Sequence, residues 1–200
     1  MKKKIILAFL VLPVLMNATI LQAGIIYPLL VFTNNGGHFD DPNLNLYVVV
    51  TPMGATIDFE FHNDSFIDSS IARIYFDDNS LLSVAGISEG PGTLFNIPAT
   101  PSRLPAGQEL VPSFETDFGA CSDAARPHNG INPTEWVIIH CNLIGGATPE
   151  NVTGALNNAD LRIGVHIISL PDGSSEAAVI PEPATLLLLG LGAVILKRKF

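Results

Sequence analysis

Residues 56–62 alternate strictly between apolar and polar side chains, and this period of two constrains the fold more than any other feature of the chain. The apolar members fall on one side and the polar members on the other, namely Ile57, Phe59 and Phe61 against Asp58, Glu60 and His62. Successive side chains of a β-strand point to opposite faces, so the segment is predicted to be a strand with one buried and one solvated face. Further β-rich runs predict strands at residues 44–51, 70–76, 81–87, 93–97, 136–144 and 161–170.

Turn-forming residues separate these runs. Clusters of Gly, Asn, Asp, Glu and Pro occupy residues 34–37, 77–79, 89–92 and 145–146. Short strands joined by such turns favour antiparallel meanders over βαβ units. Prolines recur between residues 98 and 133, which predicts loops and edge strands there.

One short helix is predicted after Thr148. This residue can cap it, Pro149 suits its first position, and Asn157 and Asn158 end it after about two turns. The predicted fold class is therefore all-β, an antiparallel β-sandwich of jelly-roll type with one short helix.

The charge distribution excludes one class of partner. Residues 24–180 contain 4 basic and 18 acidic side chains, which gives this part of the chain a net charge of 4 − 18 = −14. Such a surface repels phosphate backbones and anionic lipids, so no nucleic acid is expected as a partner. Divalent cations and a hydrated extracellular matrix are compatible with it.

The N-terminus has the three parts of a signal peptide. Lys2, Lys3 and Lys4 precede an apolar run at residues 5–16, and a polar stretch leads to Ala23, after which cleavage is expected. The run would span only about 18 Å as a helix, which favours a signal helix over a permanent span. We therefore predict a signal peptide at residues 1–23 and an exported domain at residues 24–178.

Two cysteines, Cys121 and Cys141, lie in the exported domain. An oxidising compartment lets such thiols pair, so a disulfide between them is predicted. A metal site or a catalytic thiol is the alternative. His140 would point away from its neighbour Cys141 on a strand, which argues against a shared site.

The C-terminal segment, residues 179–200, combines three distinct parts. Pro181, Glu182 and Pro183 come first, an uncharged leucine-rich run follows at residues 184–196, and Lys197, Arg198 and Lys199 come last. The run predicts a C-terminal transmembrane helix, although about 20 Å of helix is short for a hydrocarbon core of roughly 30 Å. The basic cluster should stay cytoplasmic, which places the acidic domain on the exported side.

This order of parts resembles the PEP-CTERM sorting domain of Gram-negative bacteria. The resemblance implies that Pro181, Glu182 and Pro183 form the recognition motif for exosortase, a membrane enzyme that processes the tail. It also implies that Lys197, Arg198 and Lys199 orient the segment. The protein is then expected to be held transiently at the inner membrane and to reach the cell surface or the extracellular space.

Several residues invite a chemical interpretation. The run from Gly86 to Gly90 matches GxSxG, but a nucleophile elbow needs a strand that leads into a helix, and Pro91 follows here instead, so Ser88 is predicted to be a turn serine. The histidines lack zinc-site spacing, and no metal or cofactor is predicted. Acidic turns could hold calcium. Trp136 could stack on a sugar ring, although a lone tryptophan in an apolar strand is more often part of the core.

The predicted function is that of an exported surface or extracellular-matrix protein, sorted through its tail, with a structural body that is not an enzyme and has no catalytic residues. Exopolysaccharide is a candidate partner. One alternative is a carbohydrate-binding or adhesion module, which requires a flat exposed aromatic patch. The other is a secreted hydrolase, which requires an acid pair or triad that converges in one place.

Overall fold

A computed structural model describes residues 23–99 and 102–181 of the chain, which form two packed antiparallel sheets. The front sheet has the strand order β1-β3-β4-β9-β6, and the back sheet has the order β2-β11-β10-β5-β8-β7. The strands are β1 (Ile25–Pro28), β2 (Leu30–Val31), β3 (Leu46–Pro52), β4 (Thr56–Asn63), β5 (Ser70–Asp77), β6 (Leu82–Glu89), β7 (Phe95–Asn96), β8 (Phe118–Ser122), β9 (Glu135–Leu143), β10 (Arg162–Ile168) and β11 (Glu176–Val179). The prediction of an all-β fold with antiparallel sheets is confirmed.

Strand β4 shows why the front sheet forms. Its residues alternate between half-buried and buried along the whole strand, as the sequence pattern predicts. Phe59 and Phe61 are fully buried and meet Phe76 of the back sheet edge-on, with ring centroids 5.2 and 6.1 Å apart. Burial of such side chains stabilises a fold by about 1.5–3 kcal/mol each, so the space between the sheets is the main core.

Strand β5 differs because both of its faces are covered. Ile74 and Phe76 face the main core, whereas Tyr75 lies in a second apolar cluster. Leu104 and Phe114, from the connection between β7 and β8, belong to that second cluster and cover the outer face of the back sheet. A 3₁₀-helix at Gly107–Glu109 lies in the same connection. The proline-rich stretch is therefore a packed layer on the sandwich.

The predicted helix is confirmed as α1 (Pro149–Asn158), which connects β9 to β10. Thr148 caps it by accepting a hydrogen bond from the Asn151 amide, and the Asn151 side chain accepts one from the Thr148 amide in return. Two orphan amides at the helix start are satisfied in this way. Val152 and Leu156, one turn apart, are buried against the main core.

The predicted disulfide is wrong, since Cys121 and Cys141 are both free thiols. Cys141, on β9 of the front sheet, faces the main core between the sheets. Cys121, on β8 of the back sheet, faces the second cluster on the opposite side of that sheet. The back sheet thus separates the two sulfur atoms. Burial raises the pKa of the Cys141 thiol to about 12, with smaller contributions from nearby aspartates, which keeps it protonated.

The predicted signal helix at residues 1–23 falls almost entirely outside the described residues, and the predicted C-terminal transmembrane helix lies wholly outside them. Among the residues that are described, no helix has the length and apolar character needed to cross a membrane.

Candidate functional site

A β-bulge in β6 decides which of its side chains face solvent. The register with β9 shifts between Val84 and Gly86, which leaves Ala85 as an extra residue. Val84 and Ile87 therefore both pack against the main core although they are three residues apart. Alternation then places Ser88 on the outer face of the front sheet, where it is partly exposed.

On that face Ser88 meets two side chains from the neighbouring strands. Its Oγ lies 2.7 Å from Nε2 of His140 on β9. Nδ1 of His140 in turn lies 2.7 Å from Oδ1 of Asp58, which is directly opposite it on β4. The His140 and Asp58 side chains are 32% and 21% exposed. These residues form a continuous hydrogen-bonded chain, which we call the Ser–His–Asp cluster.

The cluster corrects one prediction. Ser88 is not a turn serine, because it lies inside β6, a strand that ends at Glu89. The GxSxG run is also no nucleophile elbow, since the chain continues from β6 through a turn into the short strand β7. Sequence reasoning missed the cluster because His140 is 52 residues from Ser88 and 82 from Asp58, and only the strand order brings them together.

An aromatic row crosses the same face four residues from Asp58 along β4 and four residues from His140 along β9. Tyr47, His62 and Trp136 are consecutive cross-strand partners on β3, β4 and β9. The Tyr47 and His62 rings stack, with centroids 4.8 Å apart and planes inclined by 11°. Trp136 covers Gly90, where a Cβ atom would come within 3.0 Å of two indole carbons. Trp136 therefore lies half-buried on the outer face, with its side chain turned away from the main core.

The described part of the tail begins inside the back sheet. Strand β11 lies between β2 and β10, and the Ile180 amide still donates to the Ile163 carbonyl at 3.0 Å. The buried Glu176 carboxylate accepts hydrogen bonds from the Asn35 and Gly36 amides, both at 2.8 Å. These contacts fix the point at which the chain leaves the sandwich.

Pro181, the first residue of the predicted recognition motif, is buried and lines an apolar cavity of about 530 Å³. Leu29, Phe32, Val111 and Ile180 are among the apolar residues of its wall, and His38 and Arg162 are among the polar ones. The other predicted sorting residues, Glu182, Pro183, Lys197, Arg198 and Lys199, lie outside the described residues.

Two of the remaining histidines, His38 and His166, are held by hydrogen bonds to charged side chains. His38 lies 3.1 Å from the Asp41 carboxylate, a hydrogen bond that raises the pKa of the imidazole. Nδ1 of His166 lies 2.6 Å from Nη1 of Arg73, and burial, assisted by nearby arginines, lowers the His166 pKa to about 4. His166 is therefore a neutral acceptor at neutral pH. In residues 23–99 and 102–181, no three His, Cys, Asp or Glu side chains are grouped so that they could hold a metal ion.

Residues 179–199 match the PEP-CTERM protein-sorting motif. The match begins at Val179, the last residue of β11, so the motif starts where the sandwich ends. No curated protein matches the chain. The predicted resemblance to an exosortase substrate is confirmed, and the motif implies an exported protein that is sorted to the cell surface.

Proposed function

We propose that exosortase recognises Pro181, Glu182 and Pro183, processes the tail, and leaves the β-sandwich at the cell surface or in the extracellular matrix as a structural component. The observation that carries the proposal is the sorting motif at residues 179–199, placed directly after the last strand. Before processing, the leucine-rich run at residues 184–196 would hold the protein transiently at the inner membrane.

The body suits an extracellular setting. Its 18 acidic and 4 basic side chains between residues 24 and 180 give a strongly anionic surface, which favours solubility and resists non-specific contact with anionic polymers. The prediction that this body is not an enzyme stays a prediction, because the Ser–His–Asp cluster is an arrangement that could act chemically.

Intact-mass analysis of the native protein, from cells with and without exosortase, tests the sorting proposal. We expect the tail to be shortened only where exosortase is present. Glu182→Ala should prevent the shortening, while Glu150→Ala, which removes an exposed glutamate of helix α1, should leave it unchanged. A tail that persists through Phe200 in both cell types would refute the proposal.

Carbohydrate binding is a second candidate function, supported by the aromatic row of Tyr47, His62 and Trp136 on the outer face of the front sheet. Aromatic faces bind sugar rings through apolar contact, and an open sheet face gives access to a long polymer. Retention on exopolysaccharide should fall when Trp136 is replaced by Ala. Phe66 is 87% exposed and lies outside the row, so Phe66→Ala is the matched control.

A further inference from the structure

The hydrogen bonds of the Ser–His–Asp cluster run from carboxylate to imidazole to hydroxyl, which is the order that a nucleophilic serine requires. Asp58 contacts Nδ1 of His140, so the carboxylate favours the imidazole tautomer with its proton on Nδ1. Nε2 is then left with a lone pair, and this is the nitrogen 2.7 Å from the Ser88 hydroxyl. A hydroxyl, an imidazole base and an orienting carboxylate in this order can activate serine, whatever fold holds them.

The three side chains are held by paired backbone. Asp58 and His140 are directly opposite on β4 and β9, and Gly86, two residues before Ser88, is opposite His140 on β6. Sites built on strands keep their geometry better than sites on loops. The cluster also lies on the solvated face of the sheet, where it fills no space in the core and remains open to a substrate.

A backbone donor lies next to the serine. β6 is an edge strand of the front sheet, and the Gly90 amide donates to the Trp136 carbonyl at 3.1 Å. Because hydrogen-bonding directions alternate along an antiparallel strand, the amide of Glu89 is turned toward the open edge. The amide that follows a nucleophile can stabilise the negative oxygen that develops during acyl transfer.

We propose that Ser88, His140 and Asp58 hydrolyse esters formed by short carboxylic acids with sugar hydroxyls. Ser88 Oγ attacks the ester carbonyl carbon as its proton passes to His140 Nε2. The tetrahedral intermediate then expels the sugar alkoxide, which takes that proton and leaves an acyl-serine. Water attacks the acyl-serine with His140 again as the base, and the carboxylic acid departs as Ser88 regains its proton.

The surroundings of Ser88 select the substrate class. Ser88, His140 and Asp58 do not line the apolar cavity at Pro181, so that cavity cannot take the acyl chain of a substrate bound at Ser88. The aromatic row begins at Trp136, two residues along β9 from Ile138, the cross-strand partner of Ser88; this offset is roughly 7 Å along the strand, where the row can support a sugar ring. An acyl group carried on a carbohydrate fits both features.

A fluorophosphonate probe applied to the full chain tests the catalytic step, since its phosphorus is attacked by an activated serine with loss of fluoride. We expect the adduct on Ser88 by peptide mass analysis. Hydrolysis of p-nitrophenyl acetate should fall at least about 100-fold in Ser88→Ala and in His140→Gln. Ser83→Ala, a matched change on the outer face of the same strand, should keep both labelling and hydrolysis.

The carbohydrate part of the proposal is tested by acetate release from an O-acetylated polysaccharide. Release that depends on Ser88 supports it, whereas hydrolysis of p-nitrophenyl acetate without release from the polymer rejects a sugar ester as the substrate. An unlabelled Ser88, or hydrolysis that survives Ser88→Ala, overturns the catalytic assignment. The tail mass reports sorting independently, so failure of one proposal is distinguishable from failure of the other.

Discussion

Replacement of Arg162 by Met is expected to destabilise the connection that covers the back sheet. The Arg162 guanidinium pairs with the Asp77 carboxylate and donates to the Pro112 and Ser113 carbonyls, both at 2.6 Å. Its central carbon also lies 5.3 Å from the centroid of the Phe114 ring. One side chain of β10 therefore ties the connection between β7 and β8 to the sandwich.

The size of the effect follows from burial. The Arg162 and Asp77 side chains are only 13% and 11% exposed, so loss of the guanidinium leaves a carboxylate with little access to water, whereas the exposed Pro112 and Ser113 carbonyls can bind water instead. Breaking a buried pair by removing one partner costs about 3–5 kcal/mol. The residual exposure favours the lower end, and about 3 kcal/mol corresponds to a fall of roughly 6–12 °C in the melting temperature of a domain of this size.

Thermal and urea unfolding measure the difference, with Arg103→Met as the control because Arg103 is exposed in the same connection. The double variant Arg162→Met/Asp77→Asn should recover part of the loss, since it leaves no unpaired buried charge. If Arg162→Met unfolds within about 1 kcal/mol of Arg103→Met, the ion pair does not hold the connection in place.

Three further outcomes are expected. The pKa of His166 is about 4 in the folded state and 6.5 in the unfolded state, so the unfolded state binds a proton first as the pH falls. Roughly 2–3 kcal/mol of stability that is present above pH 6.5 should therefore be lost as the pH falls toward 4. In unfolding measured against pH, His166→Gln should lack this loss, and the exposed-site variant His128→Gln should retain it. The two thiols should react with Ellman's reagent only in denaturant, and a reductant should leave the melting temperature unchanged; rapid modification of the native protein would contradict the buried positions of Cys121 and Cys141. Thr148→Ala should lower the free energy of unfolding by about 1 kcal/mol in urea titrations, and an unchanged value would mean that the capping box contributes nothing.

Strands were easiest to predict from the sequence where one face of the sheet is exposed to solvent. β4 alternates because its polar side chains face solvent on the front sheet, and its predicted start at Thr56 is the observed one. β5 was predicted from its β-branched and aromatic residues, but its burial on both faces depends on Leu104 and Phe114, which reach it from a distant connection. A local pattern of apolar and polar residues cannot predict that a strand face is buried by residues from a distant part of the chain.

The missed strands have weak local signals. β11 has the sequence Glu-Ala-Ala-Val, in which two alanines give little β-propensity, and it forms because β10 and β2 pair with it on both sides. Its first residue, Glu176, is a buried carboxylate whose partners, the Asn35 and Gly36 amides, are 141 and 140 residues away. β8 lies in the proline-rich stretch that was predicted as loops and edge strands.

Side-chain direction explains both the failed disulfide and the unforeseen cluster. The prediction that His140 and Cys141 point in opposite directions is confirmed, because Cys141 is buried in the main core and His140 is half-exposed on the outer face. The same alternation, extended through β6 without its bulge, would have turned Ser88 into the core, so the extra residue Ala85 is what brings Ser88 to His140.

The junction between body and tail constrains how the sorting enzyme can act. Val179 still pairs within the back sheet, and Pro181 is buried beside the apolar cavity, so the predicted recognition motif begins with no linker between it and the folded domain. An enzyme that contacts Pro181, Glu182 and Pro183 together must either accept the sandwich at its entrance or draw Pro181 out of its contacts. Since the Glu176 carboxylate and the Ile180 amide hold the preceding residues in place, the second route would cost the local hydrogen bonds of β11. If exosortase recognises these three residues as proposed, the contacts of β11 should therefore slow processing of the tail.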